Sequence, residues 1–299
     1  MKLIKPSAEY IPQEDLYKHI ELCSRICYKS EDRITADSAK KMVDGLIKSG
    51  HGAMLEHGTI YLTRQMRDKK KAWEWAKKYD DNPYSRCVAV LNGFMRPTGI
   101  YHITTNLRVL VENDWLKDLK YLSNPNPDGS CGYHARRYTM KFICDRGVSH
   151  ELVRHRVFSF AQESQRYCNY SKDKFGGVSF IEQSWFNSED SSSDQREAFI
   201  QICQDSEECY LKLLDKWDNK KPDRRFKTGF KGNPLTPQQA RCVLPNATKT
   251  EIVMTGFADD WRHFFDLRLR GTTGRPHPDM QHLAQLAWNE FKDKLNLEL

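Results

Sequence analysis

The sequence has no Gly-x-Gly-x-x-Gly turn after a strand pattern and no Gly-x-x-x-x-Gly-Lys-Ser/Thr loop. A nucleotide bound by this chain would therefore be held by side chains, because both glycine-rich backbone cradles are missing. No apolar run approaches the roughly 18 residues that a spanning helix needs, which excludes a helical membrane segment. No self-similarity at a solenoid period is visible either. Charge of one sign is not gathered into a block: 47 Lys and Arg against 40 Asp and Glu leave +7, spread along the chain. Such a balance suits anionic small molecules and only weakly suits nucleic acid. No apolar signal region follows Met1-Lys-Leu-Ile-Lys-Pro6, and the nine cysteines are odd in number and scattered. Both features point to a reduced, cytoplasmic protein without a disulfide framework.

What is present suffices for a full core, since a chain of 299 residues buries roughly 75% of its unfolded surface. Apolar spacing predicts helices over 14–28 and 37–50, the second with Asp37 as N-cap and Met42, Val43, Leu46 and Ile47 as its inner stripe. A strand follows over 58–63, then a basic helix over 64–80 carrying Lys69, Lys70, Lys71, Trp73 and Trp75, read as a solvated cationic face. Segment 107–122 reads as helical and 124–129 as a turn, so 66–135 is expected to be a helical insertion within one domain spanning 1–299. Beyond it, 137–144 alternates as a strand, and a helix is expected from an N-cap at Ser149 to about 158–160. Residues 171–194 read as loop, and 195–217 as an amphipathic helix with Phe199, Ile202, Cys203, Tyr210, Leu213 and Leu214 inward. A basic loop over 219–233, a capped helix over 236–245, a buried strand over 250–255 and helices over 259–269 and 276–295 complete the order.

The densest chemistry lies in 154–167, Arg-His-Arg-Val-Phe-Ser-Phe-Ala-Gln-Glu-Ser-Gln-Arg-Tyr. Three guanidiniums, an imidazole, a carboxylate and several hydroxyls so close together are costly to bury without partners. The fixed donor fork of arginine suits phosphate or carboxylate oxygens, so the stretch reads as a pocket for a planar, anionic, hydrogen-bonding ligand. The rival reading is a surface ion-pair network at a helix end.

Arg154-His155-Arg156, then seven residues, then Ser164 resembles the signature of flavin-dependent thymidylate synthases, and Ser159, Arg166 and Tyr167 fall where the longer pattern expects them. Three further blocks are similar and occur in the family's order: His51 with Glu56-His57 ahead of a strand, Ala240-Arg241-Cys-Val-Leu-Pro245, and Trp261-Arg-His-Phe-Phe-Asp-Leu-Arg268. The fold this implies is α/β of the α+β type, a mostly antiparallel sheet flanked by helices, carrying the helical insertion. The activity it implies is reductive methylation of dUMP to dTMP, with methylenetetrahydrofolate giving the carbon, FAD carrying hydride and NADPH reducing the flavin. The partners implied are these small molecules and further copies of the chain, a homotetramer with shared active sites, without nucleic acid or membrane.

Carried over by motif, Arg154, His155, Arg156, Glu163 and His263 would face FAD. Glu151, Arg154, Gln162, Glu163, Ser164, Gln165, Arg166, Arg241 and Arg268 would face dUMP, with Gln162 and Glu163 competing for one carboxylate-like role. Arg268 would be catalytic, His51 would lie on the folate or nicotinamide side, and no metal is implied. Ser164 reads as a hydrogen-bonding group, because no His-Asp pair is evident to activate it as a nucleophile. Cys168 and Cys242 likewise lack an activating base. Cys23 and Cys27 with Cys131 and His134 form only a nominal zinc set, since the first pair sits inside a helix.

Departures from the pattern stand at Ala161, where the family has Asn, at Ala53, and at Phe257-Ala-Asp259, where it offers Asn-x-Arg to FAD. Asn106-Leu-Arg108 is a candidate replacement from within the insertion. Two other readings stay open: a flavin-dependent methyl- or hydroxymethyltransferase of another pyrimidine nucleotide, and a basic nucleic-acid-binding protein using the 64–80 helix.

Overall fold

The computed structural model describes residues 1–92, 98–123, 132–187, 191–214 and 234–295. The expected turn at 124–129, Cys131 and the expected loop at 219–233 lie outside the described residues. Two short strands, β1 (Lys2–Ile4) and β2 (Ser7–Tyr10), precede the helices α1 (Leu16–Tyr28) and α2 (Ser38–Lys48). Asp15 starts α1 by accepting from Lys18 N at 2.8 Å, and Lys29 stops it in the left-handed region at φ 48°. A 3-10 segment, Gly52–His57, leads into β3 (Thr59–Met66), α3 (Lys69–Asp80), β4 (Arg86–Asn92), β5 (Thr98–Asn106) and α4 (Leu107–Glu112). The chain continues through β6 (Arg137–Asp145), α5 (Arg146–Leu152), β7 (Ser159–Gln162), β8 (Ser179–Ile181), α6 (Ser193–Leu214) and α7 (Pro237–Ala240). It ends with β9 (Lys249–Phe257), α8 (Ala258–Arg268) and α9 (Pro278–Leu295). Among the described residues no helix is long and apolar enough to cross a membrane.

The main sheet is antiparallel, in the order β2-β6-β9-β7, and a second antiparallel sheet has the order β3-β5-β4. β1 and β8 pair in parallel on their own. Strand alternation sends Tyr138, Met140, Phe142, Ile252 and Met254 to one face of the main sheet, against Trp261, Phe264, Phe265 and Phe291 of α8 and α9. Thr139, Val253 and Thr255 face the other way, towards α1 and the Gly52–His57 segment. Gly256 is required by a close approach: a Cβ there would fall 2.3 Å from the Phe158 ring, which packs at 4.8 Å on Trp261.

The α+β class with mostly antiparallel pairing agrees with the sequence expectation, but several elements differ. The insertion is not simply helical. Residues 64–66 continue β3, two strands occupy 86–92 and 98–106, and helix covers α3, α4 and the 3-10 turn Leu116–Tyr121. β3 and β5 pair over eight residue pairs from Thr59↔Asn106 to Met66↔Gly99, so the inserted strands extend a strand that precedes them. Asp145, not Ser149, caps α5, accepting from Val148 N at 2.7 Å, while Ser149 Oγ donates back to Arg146 O. That helix ends at Leu152, and β7 and β8 occupy stretches read as helix end and loop. On α6 Cys203 and Tyr210 are buried and Phe199, Leu213 and Leu214 pack against the same cluster as expected, with Ser206 added, whereas Ile202 is out of phase and exposed.

Beside the β3-β5-β4 sheet, one carboxylate ties α3 to the Leu116–Tyr121 turn. Asp118 Oδ2 accepts from Trp75 Nε1 at 3.0 Å, Tyr79 OH at 2.8 Å and Lys78 Nζ at 2.5 Å. Removing a buried charge partner typically costs about 3–5 kcal/mol, because its counter-charge and donors are left unpaired. Asp118→Ala is expected to lower the unfolding free energy of the purified chain by that order, read as a fall in the urea midpoint, and an unchanged midpoint would show that the three donors are satisfied without it.

Candidate active site

α5 ends beside the C-terminal turn of α8, so the Arg-His-Arg segment crosses the face of that helix. There a cavity of about 760 Å³ is lined by Glu151, Arg154, His155, Arg156, His263 and Arg268, with Val157, Leu267 and residues 273–277 as its remaining walls. Arg268 is held from two sides: Nε donates to His155 Nε2 at 3.0 Å, and Nη1 donates to Glu151 Oε2 at 2.5 Å. Accepting at Nε2 requires a neutral imidazole with its proton on Nδ1. Burial, with Arg268, His263 and Arg154 adding to it, pushes the His155 pKa down to about 4, so the ring is neutral at ordinary pH. Phe264 packs edge-on to the imidazole at 5.1 Å and fixes its plane.

The remaining residues expected at the nucleotide are not in this cavity. Gln162 Nε2 donates to Ser149 Oγ at 2.9 Å and to Thr250 Oγ1 at 3.2 Å. Arg146 Nη1 reaches the same Thr250 hydroxyl at 3.3 Å. Burial lowers the Arg146 pKa; Tyr170 opposes this, the neighbouring Arg241 adds to it, and Glu163 again opposes it, so two guanidiniums share the Gln162 neighbourhood. Arg146 was missed from sequence, and its only signal was a cation at the first position of α5. Arg166 Nε bonds Gln238 Oε1 at 3.1 Å, and Gln165 is buried with Nε2 unpartnered. Ser164 N donates to Cys27 O at 2.9 Å, and its Oγ accepts only from Arg166 N among the described residues, so no base activates it. Burial pushes the Cys168 thiol up to about 12, which leaves it protonated.

Glu163 sits apart from both groups. Its carboxylate accepts from Tyr170 OH and from Lys249 Nζ, each at 2.8 Å, and it is 2% exposed. Lys249 also pairs with Glu251, and Lys29 joins Glu251 to Glu31, which makes an alternating chain of charges. Burial raises the Glu251 pKa, but the two lysines outweigh it and hold the carboxyl below its usual value. Ala161 is fully buried among Cys23, Ile26, Cys27, Met54 and Val253, on the α1 side of the sheet. An Asn there would need a polar partner that this apolar cluster does not offer.

His51 is exposed at the start of the Gly52–His57 segment and does not line the cavity. Asn106 caps α4, and Arg108 pairs with Glu56 and, at 2.7 Å, with Glu112, so both are committed elsewhere. Phe257 lies under two guanidiniums, Arg86 at 4.4 Å and Arg137 at 5.4 Å, while Asp259 pairs with Arg262 at 3.1 Å. His134 hydrogen-bonds Thr63 and Ser123 rather than any cysteine.

Residues 132–295, more than half of the chain, match the family described as thymidylate synthase complementing protein. The chain belongs to that family. A Corynebacterium diphtheriae protein named flavin-dependent thymidylate synthase is 35% identical over 149 residues, covering 50% of this chain and 54% of its own. A Mycobacterium tuberculosis protein of the same name is 34% identical over 123 residues, covering 41% and 45% respectively. The chain thus spans about half the length of the curated relatives it matches. The solved structure of the UMP/dUMP methylase PolB from Streptomyces cacaoi bound with 5-Br dUMP aligns with 98% of this chain and 92% of its own, at 15% identity and a TM-score of 0.44.

Burial gives four histidines a common property. It lowers His19, His134 and His155 to about 4 and His57 to about 3. Unfolded imidazoles protonate near 6.5, so between about pH 6.5 and 4 the unfolded chain binds more protons and stability falls as pH drops. At pH 5 unfolding is expected to take up roughly 3–4 protons at these groups. The slope of unfolding free energy against pH measures this, and a flat slope between pH 6.5 and 5 would contradict it.

Proposed function

We propose that this chain is a flavin-dependent thymidylate synthase that methylates dUMP to dTMP, using methylenetetrahydrofolate, FAD and NADPH. One observation carries the reading: Arg268 is fixed by Glu151 and a neutral His155 in the wall of a cavity that also holds Arg154 and Arg156. The lining fits phosphorylated, planar ligands. It presents four guanidiniums against the single carboxylate of Glu151. Those of Arg154, Arg156 and Arg275 have no hydrogen-bond or ion-pair partner among the described residues, and a guanidinium in such a site favours phosphate oxygens.

When bound, the flavin supplies the redox chemistry that no side chain can. The chain's own contribution is electrostatic. The Arg268 guanidinium, placed at the uracil, favours the N3 anion and makes C5 the stronger nucleophile. Glu151 and His155 set its direction, and the imidazole must stay neutral, since a protonated ring would repel Arg268 and could not accept from Nε. Arg154 serves both ligands, Arg156 and His263 face the flavin, and His51 lies on the folate or nicotinamide side.

Gln162, Ser164, Gln165, Arg166 and Arg241 are assigned to the nucleotide. Their position outside the 760 Å³ cavity supports a site completed by another copy in a homotetramer. Of the neighbouring pair, Gln162 takes the nucleotide role, because the Glu163 carboxylate is committed to Lys249 and Tyr170. We read the chain as one domain, with 66–135 as an elaborated lobe, acting in the cytoplasm.

The purified protein is expected to be yellow, with an oxidised flavin absorbance band that shifts on adding dUMP; no flavin under any reconstitution rejects the reading. Arg268→Ala should keep the flavin band and lose about 10²–10³ in dTMP formation, the usual loss on removing an electrostatic stabiliser. Ser164→Ala should be slowed rather than dead, and a covalent Ser164-nucleotide adduct would rule out its hydrogen-bonding role. Product formation from dCMP but not dUMP would transfer the activity to another pyrimidine.

A further inference from the structure

The 760 Å³ cavity has a wall that none of the sequence blocks covers: residues 273–277, in the turn between α8 and α9. We propose that this turn, through Arg275, binds the diphosphate of the flavin dinucleotide. The inference rests on the functional reading above and adds a residue to it.

The first ground is charge. Arg268 is committed to Glu151 and His155, so it cannot also balance a polyanion. Arg154 and Arg156, from the segment after α5, and Arg275, from the turn after α8, line the same cavity without an ion-pair or hydrogen-bond partner among the described residues. Asp279, just beyond the turn, faces His277 at 3.7 Å and accepts from Ser184 N at 2.6 Å, and it does not line the cavity. A single phosphate monoester is matched by one or two guanidinium forks, whereas three free forks lining one cavity suit two linked phosphoryl groups.

The second ground is that the turn is built. Gly271 and Gly274 adopt φ of +68° and +142°, conformations that other residues reach only with strain. A Cβ on Gly271 would stand 3.0 Å from both Gly274 O and Pro276 Cδ, so the turn closes against itself. Thr272 N donates to Asp266 O at 3.1 Å, Gly274 N to Gly271 O at 3.1 Å, and Gln281 Nε2 to Leu269 O at 2.9 Å. Pro276 restricts the backbone of Arg275 to extended conformations. A guanidinium on a turn braced in this way loses little freedom on binding, which is the arrangement that favours affinity.

The test titrates the flavin-free full chain with FAD and with riboflavin by flavin fluorescence, and titrates the FAD-loaded protein with dUMP. Arg275→Ala is expected to weaken FAD about 10- to 100-fold while leaving riboflavin and dUMP affinity within about twofold, with Arg275→Lys intermediate. Unchanged FAD affinity in Arg275→Ala overturns the proposal. So does an equal loss for riboflavin, which would mark a structural role, or a loss confined to dUMP, which would mark a substrate phosphate site. Wild-type protein that binds neither flavin overturns the functional reading itself, and the proposal with it.

Discussion

Strand β9 is paired on both sides and buried along nearly its whole length, and every element of the site is placed by its attachment to it. β6 on one flank ends in α5, which delivers Glu151 and the Arg-His-Arg segment. β7 on the other flank carries Phe160 and Gln162. β9 itself runs directly into α8 and so into Arg268. Such a strand has no free edge to slip along, and its two-sided burial specifies register strongly. The contact between Arg268, Glu151 and His155 is therefore less a local accident than the meeting point of two segments launched from neighbouring strands.

The sheet also separates two kinds of electrostatics. On the α8 and α9 side the cations outnumber the anions and stand open to a cavity. On the opposite side, Glu163, Lys249, Glu251, Lys29 and Glu31 alternate in sign and satisfy one another. A closed alternating chain has no capacity left for a ligand, and an open excess of guanidiniums demands one. The two arrangements sit within a few residues of each other in sequence, and only the pleat of β7 keeps them apart.

Much of this was legible in the sequence where chemistry is concentrated. The Arg-His-Arg segment stood out by residue type and Arg268 by the resemblance, and the structure brings them to one cavity. Three things were not legible, each for a physical reason. β5 was passed over because it ends in Thr104, Thr105 and Asn106, polar residues buried by pairing rather than by hydrophobicity. The start of α5 was misplaced because Asp145 and Ser149 are both competent caps, and only the bend out of β6 selects the first. The wall at 273–277 was invisible because a turn's direction depends on the helices it joins, not on its own composition.

Strand β7 has four residues, Ser159–Gln162, and its pairing with β9 continues through Glu163 N to Glu251 O at 2.8 Å. Adjacent residues there answer to different surroundings: Ala161 and Glu163 to the packed side with α1, Phe160 and Gln162 to the side with α5 and α8. Adding or removing one residue between Arg156 and Ser164 would exchange the two sets, exposing the apolar partners of Ala161 to a carboxylate or amide and emptying the charge chain of Glu163. In this stretch the count of residues is constrained more tightly than their identity. Divergence here should proceed by substitution, with insertions and deletions confined to the connections between elements, where length alters no strand's facing.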